Sequence, residues 1–235
     1  MIVLDGGTTW SKIIENSSSL MNRYSKYIVK ETNNSKYYIL PSSLLKTIDF
    51  KFDKATGHMS LNLLKNRDDY FNEIIALIKG FQNIRTDSNA LILDMGSRDS
   101  KWALIRNGKF KDLDWNTNCS SSTGATIEML LKFYNVNAKS LKFTKDKYII
   151  TCGIFGLERI MDDISNGSTP ELAIAKFIHG IAYNAWCFAK KPDNLFLSGG
   201  FCENDCFINS LKYYCDVVPL GRFILCEGLL SKNTE

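Results

Sequence analysis

Two stretches of this chain carry the residue types that handle a phosphate and its metal. Leu4-Asp5-Gly6-Gly7-Thr8-Thr9-Trp10-Ser11-Lys12 returns without a gap as Leu93-Asp94-Met95-Gly96-Ser97-Arg98-Asp99-Ser100-Lys101, with five of nine positions identical. In each copy an Asp closes a short apolar run and is followed by glycine and hydroxyl residues. A carboxylate in that place holds hydrated Mg2+, and the backbone N–H groups of the turn face phosphate oxygens. Taken singly, either copy also reads as an ordinary hairpin turn. Repetition in one register favours the phosphate reading, and two copies facing each other would clamp a nucleotide from both sides. Gly199-Gly200, after the apolar run Asn194 to Leu197, offers bare backbone against which an adenine or ribose can lie.

The seven cysteines are an odd number without disulfide-framework spacing, which points to a reducing compartment. Cys119 and Cys152 each precede an expected helix, where the backbone N–H groups and helix dipole lower a thiol pKa. Two thiolates are half of a four-thiolate cluster site; a symmetric dimer with these loops on its twofold axis would complete one [4Fe-4S] cluster. By spacing alone, however, they read as two ordinary semi-buried thiols. Cys202 and Cys206 are four apart and could share a helix face, but no further Cys or His stands near them. Cys187, Cys215 and Cys226 fall in apolar settings. The two histidines, His58 and His179, offer no triad or ligand cluster, and His179 reads as a structural residue on a helix.

The elements that must position these residues follow from pattern. Each repeat reads as strand, tight turn, strand. Phe71, Ile74, Ile75, Leu77, Ile78 and Phe81 fall at helical spacing and predict an amphipathic helix over 68–82. Asn107-Gly108 is a hairpin turn into a strand from Lys109 to Trp115. Further helices are expected over 123–134, 153–165 and 170–189, the last opened by Ser168-Thr169-Pro170-Glu171, with a strand from Tyr148 to Thr151. Strands followed by helices in each half give an α/β architecture of two lobes, placed at residues 1–88 and 89–235.

Composition sets the bounds. The chain has 235 residues, 45% hydrophobic and 23% charged, ordinary for a globular protein. Its net charge of +4 is dispersed along the chain, so no basic stripe points to nucleic acid. No apolar run approaches the roughly 20 residues of a membrane span, and the first residues lack a signal-peptide pattern; the expectation is a cytoplasmic protein.

The duplicated Asp turns resemble the actin, hexokinase and heat-shock-chaperone ATPase fold. Leu93 to Lys101, then Asn107-Gly108-Lys109, Asn118-Cys119 with Thr123-Gly124, Cys152-Gly153-Ile154-Phe155 with Glu158 and Ile160, and Leu197-Ser198-Gly199-Gly200 with Asn204 are similar to the activator ATPases of 2-hydroxyacyl-CoA dehydratases and related benzoyl-CoA reductase ATPase subunits. Thr56-Gly57-His58 and Glu73-Ile74 to Lys79-Gly80 resemble the family's first lobe more loosely. The resemblance implies a homodimer that binds ATP and Mg2+ and carries one [4Fe-4S] cluster between subunits, on Cys119 and Cys152. Such a dimer takes electrons from a low-potential reductant such as ferredoxin or flavodoxin, and passes one electron to an iron–sulfur partner enzyme. It implies that Asp5 and Asp94 organise Mg2+ and water, that Gly7, Thr8, Thr9 and Lys12 contact phosphate with Gly96, Ser97, Asp99 and Lys101 opposite, and that Gly199 and Gly200 bound the adenosine pocket. Glu73 matches a family acid.

This chain departs from the pattern at the second turn, where Ser97 and Arg98 replace a Gly and a Gln. A Gln positions an attacking water; Arg98 stabilises phosphate charge but does not orient water in the same way, so hydrolysis is expected to be slow or altered. Trp10 replaces a small hydroxyl residue, and Ser120-Ser121-Ser122 a small Ala-Ala-Gly run. Two alternatives stay open: a cluster-free small-molecule kinase of the same superfamily, and a nucleotide-binding regulatory protein with little turnover.

Overall fold

The chain is described by a computed structural model that covers residues 1–116, 124–151 and 153–231. It divides into two compact units, one of Met1–Asp87 with the segment from Arg222, the other Ser88–Gly221. Each is an α/β unit built on a five-stranded sheet.

In the first unit, β1 (Ile2–Asp5) and β2 (Trp10–Asn16) form an antiparallel hairpin with Asp5 opposite Lys12. β4 (Ser35–Pro41) continues antiparallel beside β2, with β3 (Ile28–Glu31) outside it, while β5 (Lys54–Thr56) lies parallel to β1 with Thr56 opposite Asp5. The second unit repeats this plan. β6 (Ala90–Met95) and β7 (Ser100–Arg106) form the hairpin with Asp94 opposite Lys101, and β8 (Lys109–Asn116) runs antiparallel along β7. β9 (Asn194–Gly199) lies parallel to β6 with Ser198 opposite Asp94, and β10 (Asp216–Gly221) closes the far edge. The duplicated motif is therefore one part of a duplicated sheet. The strands that carry the Asp residues are central and almost wholly buried, which is why they read as apolar runs instead of alternating ones.

The helices follow their patterns with local shifts. α1 (Glu73–Ile84) starts later than the expected 68–82, because the Asn72 side chain caps it by accepting from the Ile74 N–H, while 67–69 form a separate 3-10 turn. α2 (Gly124–Phe133) and α3 (Gly153–Ser165) match expectation over the described residues. α4 (Pro170–Phe188) is capped by Thr169 with Pro170 in its first turn, and α5 (Asp205–Lys212) follows β9.

Two expectations differ from the structure, and one strand is new. Tyr148 to Thr151 is not a strand: the Tyr148 N–H bonds the Lys176 carbonyl, and Asn184 donates to the Ile150 carbonyl, so this segment lies along α4 and outside the sheet. β10 was not foreseen because Pro219 interrupts its pattern; at a sheet edge the missing N–H is tolerated. The second lobe was placed at 89–235, yet α6 (Ile224–Leu230) packs on α1 of the first unit. Small residues make this contact: a Cβ on Gly80 would stand 1.9 Å from the Ile224 carbonyl oxygen, and one on Gly228 2.0 Å from that of Ala76. Gly228→Ala is accordingly expected to lower stability by about 2–4 kcal/mol, read by thermal unfolding; an unchanged melting temperature would show that the helices are not held this closely.

Candidate functional site

The second turn is the better defined half of the site. Asp94 is the last residue but one of β6, the Gly96 N–H bonds the Asp99 carbonyl at 3.0 Å, and Ser97-Arg98 stand at the tip of the loop so closed. Across the hairpin Lys101, only 2% exposed, lies 3.2 Å from Asp94 Oδ2 and 3.5 Å from Asp99 Oδ2. Trp115 Nε1 donates to Asp99 Oδ2 at 2.6 Å, and its ring centroid is 5.0 Å from Lys101 Nζ. One ammonium thus serves two carboxylates, leaving the cluster a net negative charge that suits a cation.

Asp94 itself is 5% exposed, and its second oxygen, Oδ1, is buried without a partner among the described residues. A buried anionic oxygen left so costs about 1–3 kcal/mol or more, an expense that a hydrated cation removes. Beside it the Ser198 hydroxyl is also buried and unpartnered, and Gly199 follows with φ +88°. A Cβ on Gly199 would come within 2.3 Å of the Met95 carbonyl oxygen and 3.1 Å of Asp94 Oδ1. Only glycine keeps that approach open. These residues fit Mg2+ on the chemistry of the donor set.

The first unit repeats the arrangement. Lys12 Nζ pairs with Asp5 Oδ2 at 2.9 Å, and the buried, unpartnered Thr56 hydroxyl stands opposite Asp5 as Ser198 does opposite Asp94. The tip is Thr8-Thr9. Ser42 steadies it, its hydroxyl donating to the Gly7 carbonyl at 2.7 Å and its N–H to the Thr9 carbonyl at 2.9 Å.

Asp5, Gly7, Thr8, Thr9 and Lys12 are therefore gathered within the first unit, and Asp94, Gly96, Ser97, Arg98, Asp99, Lys101, Gly199 and Gly200 within the second. Arg98 is exposed and forms no ion pair among the described residues. Thr56 and Ser198 lie in motifs that the resemblance picked out but without a role, and Trp115 stood only at the end of an expected strand. The recurrence of hydroxyl-glycine in Thr56-Gly57 and Ser198-Gly199 was the available signal, too short to stand out alone.

Cys119 and Cys152 lie outside the described residues. What flanks Cys119 is informative: Asn116 pairs with Ser100 at the end of β8, and at the start of α2 the Gly124 and Ala125 N–H groups bond the Gly96 and Ser97 carbonyls at 3.3 and 3.1 Å. The second Asp turn and the strand that follows it thus hold the chain on both sides of the Cys119 segment. α3 begins at Gly153, directly after Cys152. Among the other thiols, burial pushes Cys202 up to about 12 and Cys206 and Cys215 to about 11, and Cys226 well above its usual range; these stay protonated and make poor cluster ligands. Cys202 and Cys206 do not share a helix, the first lying in the 3-10 turn Gly200–Glu203 and the second in α5. No group of three or more His, Cys, Asp or Glu residues that could hold a metal ion occurs among the described residues. His179 is buried, 2.7 Å from the Tyr214 hydroxyl through Nε2, and burial lowers its pKa. No helix among the described residues is long and apolar enough to cross a membrane.

No family model matches the chain. It is 23% identical over 175 residues to the (R)-2-hydroxyglutaryl-CoA dehydratase activating ATPase of Acidaminococcus fermentans, covering 71% of this chain and 67% of that protein. Solved structures share its fold, two activators among them. The activator of the 2-hydroxyisocaproyl-CoA dehydratase from Clostridium difficile with bound ADPNP aligns with a TM-score of 0.74 at 17% identity, over 97% of this chain and 92% of the other. Component A of the Acidaminococcus fermentans (R)-2-hydroxyglutaryl-CoA dehydratase aligns at 0.73 and 20% identity, over 97% and 95%. The fold is the one these activator structures share, and the curated relative is of the kind that the motifs resemble.

Proposed function

We propose that this chain, whose homologues are activator ATPases of 2-hydroxyacyl-CoA dehydratases, is itself an ATP-dependent activator that hands one electron to an iron–sulfur partner enzyme of that kind. It works as a homodimer with one [4Fe-4S] cluster on Cys119 and Cys152 of both copies. The observation that carries the nucleotide part is the buried, unpartnered Asp94 Oδ1 next to Ser198 and Gly199. Asp94, with Asp5 as its counterpart in the first unit, would hold Mg2+, which when bound neutralises phosphate charge. Thr8, Thr9 and Ser97 donate to phosphate oxygens, while Lys12 and Lys101 balance the carboxylates. Gly199 and Gly200 leave room for the adenosine.

Coupling is supported by the bonds from Gly96 and Ser97 to the start of α2. Any displacement of the turn on phosphate binding or release would be felt at Asn116 and at Gly124, the two described residues that flank the Cys119 segment. The cluster, when bound, supplies a one-electron carrier. Arg98 at the exposed tip of the turn steadies phosphate charge without orienting water, and this favours slow turnover; a nucleotide-binding regulatory protein is the second reading.

The test is to purify the protein without oxygen and to measure iron, sulfide and the visible spectrum beside a Cys119→Ser variant. About two irons per chain, one cluster shared by two chains, bleached by dithionite and absent from the variant, are expected. A colourless, iron-free protein after reconstitution would leave a kinase or nucleotide sensor instead.

A further inference from the structure

We propose that His58 is a phosphate-binding residue of the first turn, acting beside the Thr8 hydroxyl on the phosphate chain of a nucleoside triphosphate; this rests on the ATP-binding reading above and adds to it a residue of the first unit. The inference comes from superposing the plan of the two sheets. In each, the strand parallel to the Asp strand ends in a buried hydroxyl and then a glycine at positive φ: Thr56 and Gly57 (φ +83°) in one, Ser198 and Gly199 (φ +88°) in the other. Both glycines press on the backbone of their own Asp hairpin. A Cβ on Gly57 would stand 2.7 Å from the Gly6 carbonyl oxygen, as one on Gly199 would stand 2.3 Å from that of Met95. The next residue is Gly200 in the second unit and His58 in the first.

The base beneath His58 is rigid and buried. The Gly6 N–H bonds the Thr56 carbonyl at 2.8 Å, the Met59 N–H bonds the Gly6 carbonyl at 3.1 Å, and the Ser60 hydroxyl donates to the Gly57 carbonyl at 2.6 Å. On this base the imidazole itself is exposed, with Nε2 3.5 Å from the equally exposed Thr8 Oγ1. That distance is at the outer limit of a direct hydrogen bond, and it lets both groups donate to one anionic oxygen. Donors converging at the tip of a turn of glycine and hydroxyl residues add to anion binding.

The experiment is calorimetric titration of ATP, ADP and AMP, with Mg2+, into the wild-type protein, H58A and H58K, with thermal melts alongside. H58A is expected to bind ATP about tenfold more weakly, the loss of one hydrogen bond to a charged group. The loss should shrink as phosphates are removed, the melting temperature should hold, and H58K should restore affinity. ATP affinity in H58A within twofold of wild type, an equal loss for AMP, or failure of H58K to restore binding would each overturn the assignment. Absence of ATP binding by the wild-type protein would overturn the nucleotide reading itself, and with it this one.

Discussion

Asp94→Ala is expected to remove measurable Mg2+-dependent ATP binding and, separately, to lower stability by about 3–5 kcal/mol, the cost of stripping one partner from a buried ion pair. The two effects have different origins. Lys101 is 2% exposed and would lose its nearer carboxylate, keeping Asp99 at 3.5 Å, which is already bound by the Trp115 indole. The stability loss thus belongs to a buried ammonium deprived of its nearer counter-ion, while the binding loss belongs to the missing Asp94 Oδ1. Asp94→Asn combined with Lys101→Met separates them, because removing both charges at once leaves no under-compensated buried charge in this pair. The double variant should regain most of the lost stability in a denaturant titration and still fail to bind ATP in Mg2+. If Asp94→Ala alone binds ATP normally, Asp94 is a structural counter-ion to Lys101 and no more, and the metal assignment is lost.

Gly199→Ala should be nearly as damaging, for steric reasons. The backbone at Gly199 has φ +88° and ψ −168°, a region that residues with a Cβ avoid at a cost of about 1–3 kcal/mol. The new methyl group would meet the Met95 carbonyl oxygen at 2.3 Å and its carbon at 2.9 Å, and backbone in a central strand pair has little room to yield. Together these predict a loss of about 3–5 kcal/mol and a distorted Asp94. Gly167 provides the control: its φ is +96°, but nothing lies within 4 Å of its would-be Cβ. Gly167→Ala should therefore cost only the backbone term, about 1–3 kcal/mol, and leave ATP binding intact. Equal losses in the two variants, read by melting and titration, would show that contact with β6 is not what fixes Gly199.

Some of this was legible before any coordinates. Hairpins with an Asp at the end of one strand and a Lys seven residues on are local objects, set by turn chemistry and strand length, and the repeat displayed them twice. The amphipathic spacing of α1 and the Thr169-Pro170 start of α4 are local in the same way. Other features were not. Tyr148 to Thr151 has the composition of a strand, but its backbone groups are taken by α4, a choice no local pattern encodes. Cys202 and Cys206 have helical spacing, and the break between the 3-10 turn and α5 undoes it.

The sequence by itself determined the two Asp turns, the α/β class and the resemblance to activator ATPases, because the motifs that carry them are short runs of neighbouring residues; that each Lys faces its Asp came from the strand register. Only the tertiary structure decided which distant segment lies parallel to each Asp strand, and so brought Thr56-Gly57-His58 to the first turn and Ser198-Gly199-Gly200 to the second. It alone placed α6 with the first unit and tied the start of α2 to Gly96 and Ser97. Parallel pairing and helix docking join segments far apart in sequence, and they are settled by burial and hydrogen-bond satisfaction over the whole unit. A window of residues cannot record that sum.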